Sequence, residues 1–244
     1  MSNHLKKLPL NTKGTDYIIG DIHGCYSNVM LKLKQINFNF KNDRLISCGD
    51  IIDRGLENLE CLNLLNESWF HMVRGNHEQM MIDCLVHGVR DGGMWYGNGG
   101  SWELNCEGVS EWAEFINETV PYGIEIERED GLMVGVVHAE LGGLGWSSVF
   151  HHGELSYYNQ MNLLWGRKNI GSGTYGDVHG VDLLFVGHSV VNRQGGQWSQ
   201  GEYKYWDHVK VVDSVVKVGN TVFTDHGIVF GEEVVLYKLD GSWV

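Results

Sequence analysis

The sequence predicts an α+β protein built on two sheets with flanking helices. In the first third, short apolar runs alternate with segments whose apolar residues return at helical spacing. Beyond residue 188 the chain turns to short β-like segments, several alternating apolar and polar residues. At 244 residues and 43% hydrophobic content, one two-sheet domain spanning residues 1–244 is long enough to bury a full core. Taken in order, Tyr17-Ile18-Ile19, Leu45-Ile46-Ser47-Cys48 and Phe70-His71-Met72-Val73 are rich in apolar and β-branched residues and end in Gly or Gly-Asn, as buried strands do. Between them, Ser27 is a candidate cap for a helix carrying Val29, Met30, Leu33 and Ile36, and Leu59, Leu62 and Leu65 mark a second helix. Strand, helix, strand, helix, strand with right-handed crossovers makes a parallel sheet, and such sheets bind ligands at the carboxyl ends of their strands. Residues 91–117, with Trp95, Trp102 and Trp112, predict a helical flap whose aromatics serve as core. Residues 124–126, 132–137, 209–212, 221–224, 228–230 and 233–239 are the candidate strands of a second, mixed sheet.

Each early strand is followed by a side chain that binds metal well. The segments are Gly20-Asp21-Ile22-His23-Gly24, Gly49-Asp50-Ile51-Ile52-Asp53-Arg54-Gly55 and Arg74-Gly75-Asn76-His77-Glu78. Carboxylate, imidazole and amide oxygen together suit divalent ions such as manganese, iron or zinc, whereas a thiolate site needs clustered cysteines, and none are clustered. Asp50 is the natural bridge between two ions. Asp21 and His23 face one ion together, and Asn76 reaches the other through its amide oxygen. A metal pair needs more ligands than these four, and two later apolar runs each end at a histidine, His138 and His188. Their placement matches the strand-end pattern of the first three motifs.

These residues resemble the phosphoprotein phosphatase branch of the calcineurin-like metallophosphoesterases, whose signature is GD-x-HG, GD-xx-DRG and GNHE. The likeness is strong over about residues 16–87 and patchy afterwards, and it is nearest to the small serine/threonine phosphatases of the bacteriophage lambda type. It implies a four-layer α/β/β/α sandwich of two mixed sheets with flanking helices. It also implies that Asp21, His23, Asp50, Asn76, His138 and His188 ligate two divalent ions, manganese first with iron or zinc as alternatives. Arg54, Arg74 and Arg167 then hold the substrate phosphate, and His77 acts as general acid oriented by Asp53. The chemistry agrees: two ions lower the pKa of a bridging water, which attacks phosphorus directly. Guanidinium groups present paired donors to a phosphate dianion. A serine or threonine alkoxide leaves poorly without a proton, which His77 is placed to give. Glu78, opening a helix, suits the helix dipole.

The implied reaction is metal-dependent hydrolysis of phosphoserine and phosphothreonine in proteins, with phosphotyrosine or phosphohistidine as slower substrates. A dinucleoside polyphosphate hydrolase is the alternative, and a silent metal-binding scaffold is the third class. The scaffold has no chemical need for His77 and both early arginines together.

Composition narrows the partners. A net charge of −13 disfavours nucleic acid, whose binding depends on clustered Lys and Arg. No apolar stretch approaches a membrane span, and the N-terminal lysines lack the apolar region of a secretion signal, so no membrane partner is expected. Five scattered cysteines, an odd number, predict reduced thiols in a cytoplasm. The partners expected are phosphorylated proteins or peptides, bound by a monomer. Asp177-Val178-His179-Gly180 copies the first motif without a preceding strand and reads as a decoy loop, and His151-His152 reads as solvated. Thr224-Asp225-His226-Gly227 departs from the Asp-Thr-Gly expected by resemblance, which places His226 near the site. Residues 193–220, with Trp198, Tyr203, Tyr205 and Trp206, are expected to border the cleft and tune substrate choice.

Overall fold

The computed structural model describes residues 4–89, 92–151, 153–192, 196–199, 202–205, 207–212 and 215–244. Walking along the chain, β1 (Leu5–Leu8) precedes β2 (Asp16–Ile19), α1 (Tyr26–Gln35), β3 (Arg44–Ser47), α2 (Asn58–Asn63) and β4 (Phe70–Met72). β2, β3 and β4 run parallel and adjacent, as their apolar runs and helical crossovers require. Asp16 and Arg44 face each other in register where β2 and β3 begin, joined through two hydrogen bonds of 2.7 and 2.5 Å. α1 buries Val29 and Leu33 completely, each stabilising the fold by roughly 2 kcal/mol. Ser27 does not cap it. Cys25 occupies the cap position, and the Glu57 carboxylate reaches back from the start of α2 to take the Ser27 amide and hydroxyl. That carboxylate meets two groups at the positive end of the helix at once.

After β4 come α3 (Asn76–Leu85), α4 (Gly92–Gly97), a 3₁₀ segment at Gly100–Asn105 and α5 (Val109–Thr119). The predicted flap is therefore helical. Trp95 is buried and Trp102 and Trp112 pack against the same core, as expected of large aromatics.

The second sheet is built from β5 (Gly123–Glu127), β6 (Met133–Val137) and β7 (Leu183–Val186), with α6 (Trp146–Phe150), α7 (Tyr157–Trp165) and α8 (Lys168–Ser172) inserted before β7. A hairpin follows, β8 (Gly196–Ser199) with β9 (Glu202–Tyr205), then β10 (Lys210–Val212), β11 (Val215–Val218) and β12 (Thr221–Phe223). Its order is β1-β5-β6-β7-β12-β11-β10, mixed in direction, with β6, β7 and β12 parallel. β1 was not foreseen: Lys6 and Lys7 interrupt its apolar pattern, as an edge strand permits.

Two expected strands form differently. Residues 228–230 make a 3₁₀ turn between two left-handed glycines, Gly227 and Gly231. Of residues 233–239 only β13 (Tyr237–Lys238) is a strand, and it joins the first sheet, antiparallel to β2, completing the order β13-β2-β3-β4. A polar residue at 238 and a turn at 239–240, closed by the Gly241 amide on Lys238 O, leave room for no more.

The two sheets pack face to face through Ile18, Ile46, Val73, Ile124, Val136 and Phe185, all fully buried. The outer face of the first sheet is covered by α1, α2, α3 and α5, and that of the second by α6, α7 and α8. This is the four-layer α/β/β/α arrangement. All five cysteines are free thiols. Among the described residues no helix is long and apolar enough to cross a membrane.

Candidate metal centre

The two sheets deliver their strand ends to one place. Asp21 follows β2, Asp50 follows β3, Asn76 opens α3 beyond β4, His138 follows β6 and His188 follows β7. The turns interlock: the Ile22 and His23 amides donate to Asp50 O at 3.0 and 2.9 Å, and the Gly187 amide donates to His138 O at 2.9 Å. Glu78 fastens the first two motifs to the third, because its carboxylate accepts the amides of Gly75, Asp50 and Ile51, each at 2.9 Å. Burial and neighbouring Asp50 still push that carboxyl up to about 7.

The backbone is strained here more than elsewhere. Among the described residues, six non-glycine residues have positive φ, and five of them are His23, Asp50, Asp53, Arg54 and His188. Such conformations cost of order 1 kcal/mol or more each and persist only where surrounding bonds enforce them. Glycine supplies the closest approaches: a Cβ on Gly75 would collide with Asp50 Oδ1, and one on Gly187 with Asp21 Oδ1.

Donor atoms gather into two groups that share Asp50. His23, Asp50 and His77 form one, and Asp50, His138 and His188 the other, all buried. His23 Nε2 lies 3.8 Å from both Asp21 Oδ2 and Asp50 Oδ2, so Asp21 belongs with the first group. In the second, His138 Nε2 is 3.4 Å from Asp50 Oδ2, 2.8 Å from Asn76 Oδ1 and 3.1 Å from His188 Nδ1. Asn76 Oδ1 is also 3.0 Å from His188 Nδ1.

The protonation pattern suits cations. His23 Nδ1–H donates to Ile52 O and His138 Nδ1–H to Cys48 O, both at 2.8 Å, which turns each Nε2 lone pair inward as metal-ligating histidines require. Burial pushes His23 down to about 3, lowers His138 and holds His188 well below its ordinary value, so all three are neutral imidazoles. Burial alone would raise Asp50, but His138, His77 and His23 hold it down to about 2. An ionised carboxylate, an amide oxygen and ring lone pairs thus converge without protons between them. The residues fit divalent ions.

Asp21 is raised by burial and then by Asp225 and Asp50. Asp225 itself follows β12 and is pushed up by burial to about 6. Sequence reasoning missed it: attention fell on His226, whereas the aspartate of the expected Asp-Thr-Gly was retained. His226 turns away, its Nε2 2.5 Å from the Tyr237 hydroxyl and its Nδ1 3.1 Å from Val191 O, with its ring stacked on Tyr237.

His77 Nδ1 lies 2.6 Å from Asp53 Oδ2, and its amide donates to Asp50 Oδ1 at 2.9 Å. Burial would lower this imidazole, yet Asp50 and the Asp53 bond raise it on balance. Arg54 stands exposed at the mouth, with one terminal nitrogen 2.6 Å from His23 Nε2 and the other 3.0 Å from His77 Nε2. Arg167 is also exposed, and its charge acts on Asp21, Asp225 and Asp50.

Arg74 is not brought into this group. One terminal nitrogen donates to Gln79 Oε1 and the Tyr122 hydroxyl at 3.1 and 3.3 Å, and the other to the carbonyls of Ile116, Asn117 and Val120 at 3.1, 2.9 and 3.3 Å. Its charge thereby closes the carbonyl end of α5, where a cation is favoured. The expectation that Arg74 grips phosphate gives way to this capping position. The other secondary readings fall out simply. His179 lies exposed in a loop, so the decoy reading of its motif agrees with the fold. His151 approaches Glu125 at 3.6 Å, and His152 lies outside the described residues. Arg193 and Trp206, and the side chains of Trp198, Tyr203 and Tyr205, also lie outside them.

Residues 17–192 match the family model of the calcineurin-like phosphoesterases. The chain belongs to that family. The phosphoesterase is 36% identical to serine/threonine-protein phosphatase 2 of Salmonella typhimurium over 187 residues, covering 72% of this chain and 80% of that one. To serine/threonine-protein phosphatase 1 of the same organism it is 30% identical over 228 residues, 91% of each. A symmetrical bis(5'-nucleosyl)-tetraphosphatase of Actinobacillus pleuropneumoniae is 38% identical over 72 residues, 29% of this chain and 27% of the other. Among solved structures, one described provisionally as a diadenosine tetraphosphatase aligns at a TM-score of 0.64 and 18% identity over 99% of this chain and 96% of its own, a likeness of fold.

Proposed function

We propose that the phosphoesterase is a protein phosphatase that removes phosphate from phosphoserine and phosphothreonine. The carrying observation is the shared Asp50: two sets of buried donors meet at one ionised carboxylate beside His77. Asp21, His23 and Asp50 would hold one divalent ion, and Asp50, Asn76, His138 and His188 the other, with manganese the first expectation. Bound there, a metal pair supplies Lewis acidity and an activated water for in-line displacement at phosphorus.

The chain's own residues then do the rest. Arg54 and Arg167 present charged donors at the mouth, where a phosphate dianion offsets them. Asp53 holds His77 through Nδ1, leaving Nε2 toward the leaving oxygen. In the neutral ring Nε2 accepts from Arg54; once it is protonated the two donors repel, so the guanidinium is released toward phosphate as the acid is loaded. Two curated relatives that share 72% and 91% of this chain carry protein phosphatase names, which supports a protein substrate.

The test is His77→Asn. Metal content should hold, and turnover of a phosphoseryl peptide should fall by about two to four orders of magnitude, but that of p-nitrophenyl phosphate far less, because p-nitrophenolate leaves without a proton. Equal losses on both would remove the acid role. The second reading, dinucleoside polyphosphate hydrolysis, draws on the 72-residue match to a tetraphosphatase. Release of nucleoside diphosphate from diadenosine tetraphosphate faster than phosphate from the peptide would favour it.

A further inference from the structure

The flap contributes two donors that the metal motifs do not contain. Trp95 of α4 donates its indole N–H to Asp53 Oδ2 at 2.9 Å, and Trp102 of the following 3₁₀ segment donates to Asp53 Oδ1 at 2.7 Å. The same Oδ2 takes His77 Nδ1–H at 2.6 Å. Asp53 and His77 are each 0% exposed and Trp95 1%, so the bonds among these three have no solvent competitor, while Trp102 reaches in from a half-buried position. An indole N–H donates only, and a carboxylate gripped at both oxygens cannot rotate without leaving a donor unpaired. The loop between the two indoles is fitted to the site. Gly99 sits at φ +110°, where a Cβ would lie 2.7 Å from the Arg54 amide nitrogen, and a Cβ on Gly100 would collide with the Trp95 indole.

We propose that Trp95 and Trp102 are positioning residues for the hydrolysis: together they fix the rotation of the Asp53 carboxylate and, through it, the direction of His77 Nε2. The flap is thereby part of the acid machinery rather than a cover over it. This rests on the general-acid reading of His77, and two readouts separate the two ideas.

The first readout is independent of catalysis. In the full chain, metal-free and zinc-loaded, the short His77–Asp53 bond should give a downfield proton resonance, assigned by its loss in His77→Asn. Trp95→Phe and Trp102→Phe keep a ring and drop the N–H, and each should shift or broaden that signal; an unchanged signal in both overturns the proposal whatever His77 does. The second is kinetic. Each Phe variant should lower kcat on a phosphoseryl peptide about tenfold, a part of the usual general-acid contribution, with KM within about twofold and p-nitrophenyl phosphate turnover within about threefold. A loss carried by KM, or equal on both substrates, overturns it. Trp95→His and Trp102→His restore a ring N–H and should recover most of the peptide activity. If they are as impaired as folded Phe variants, or if the Phe variants do not fold and the His variants fold without the resonance, the clamp is wrong. Should His77→Asn fail to distinguish the two substrates, the acid reading falls, and the resonance still decides the clamp.

Discussion

At the residue scale the site depends on groups that would be costly anywhere else. Asp50 sits at positive φ, fully enclosed, ionised, and shared between two sets of ligands. Asp50→Asn removes the charge that both sets use while keeping its shape. The metal-to-protein ratio of the purified variant, read by elemental analysis, should drop from two toward zero. Turnover should fall at least about a thousandfold, as expected when several kcal/mol of metal assistance are lost. Retention of two ions would mean that Asp50 is not the bridge. Of the eleven residues singled out from sequence, ten lie within or beside the cluster, because each stands just past an apolar run or beside a residue that does. Arg74 fails for a physical reason: a guanidinium next to a ligand motif has the same sequence whether it points at the ions or at helix carbonyls more than 40 residues later. Asp225 was hidden in the opposite way, since an aspartate beside a histidine drew the eye to the imidazole.

At the element scale, Arg74 ties the loop before α3 to the end of α5. Charged hydrogen bonds to buried carbonyls are worth about 1.5–3 kcal/mol each, partly offset by burying the charge, so Arg74→Ala should destabilise the protein by about 2–4 kcal/mol. Urea unfolding would measure this, and KM for a phosphopeptide should stay within about threefold. Unchanged stability with a much raised KM would return Arg74 to the phosphate. Elements with strong periodicity were legible: β2, α1, β3, α2, β4, β6 and β7 all form close to where the apolar spacing puts them. Elements whose partners are distant were not. Residues 228–230 are apolar and two of them β-branched, yet the positive φ of the glycines on either side closes them into a 3₁₀ turn. Ser27 looked like a cap only because Glu57, its true partner, is 30 residues away.

At the scale of the whole molecule, the cluster concentrates negative charge inside a protein that is already acidic, at −13 overall. Asp21, Asp50 and Asp225 raise one another's cost, so in metal-free protein the fold carries an uncompensated burden that cations relieve. Asp225 titrates near 6 in the fold against 3.8 when exposed. Below about pH 4 it is protonated in both states and costs nothing; between about pH 4 and 6 the unfolded chain ionises it while the fold keeps the proton, and the penalty is complete as pH rises past 6. Metal-free Asp225→Asn should therefore match the native protein near pH 4 and exceed its stability by on the order of 3 kcal/mol above pH 6, by thermal melts across that range. With metal bound the advantage should shrink. A constant difference at every pH would deny that Asp225 is a buried charge. The two-sheet design was legible in outline, but the pairing of the last strand with the first sheet was not, since nothing in two residues specifies a partner more than 200 positions away.

That closing strand has a consequence for how the molecule comes into being. β13 pairs with β2, and its own Tyr237 receives the ring of His226. A chain emerging from the ribosome presents Asp21, Asp50 and His77 long before the segment that seats the edge of their sheet exists. Until Tyr237 and Lys238 are made, β2 stands as an open edge of the sheet that carries Asp21 and Asp50.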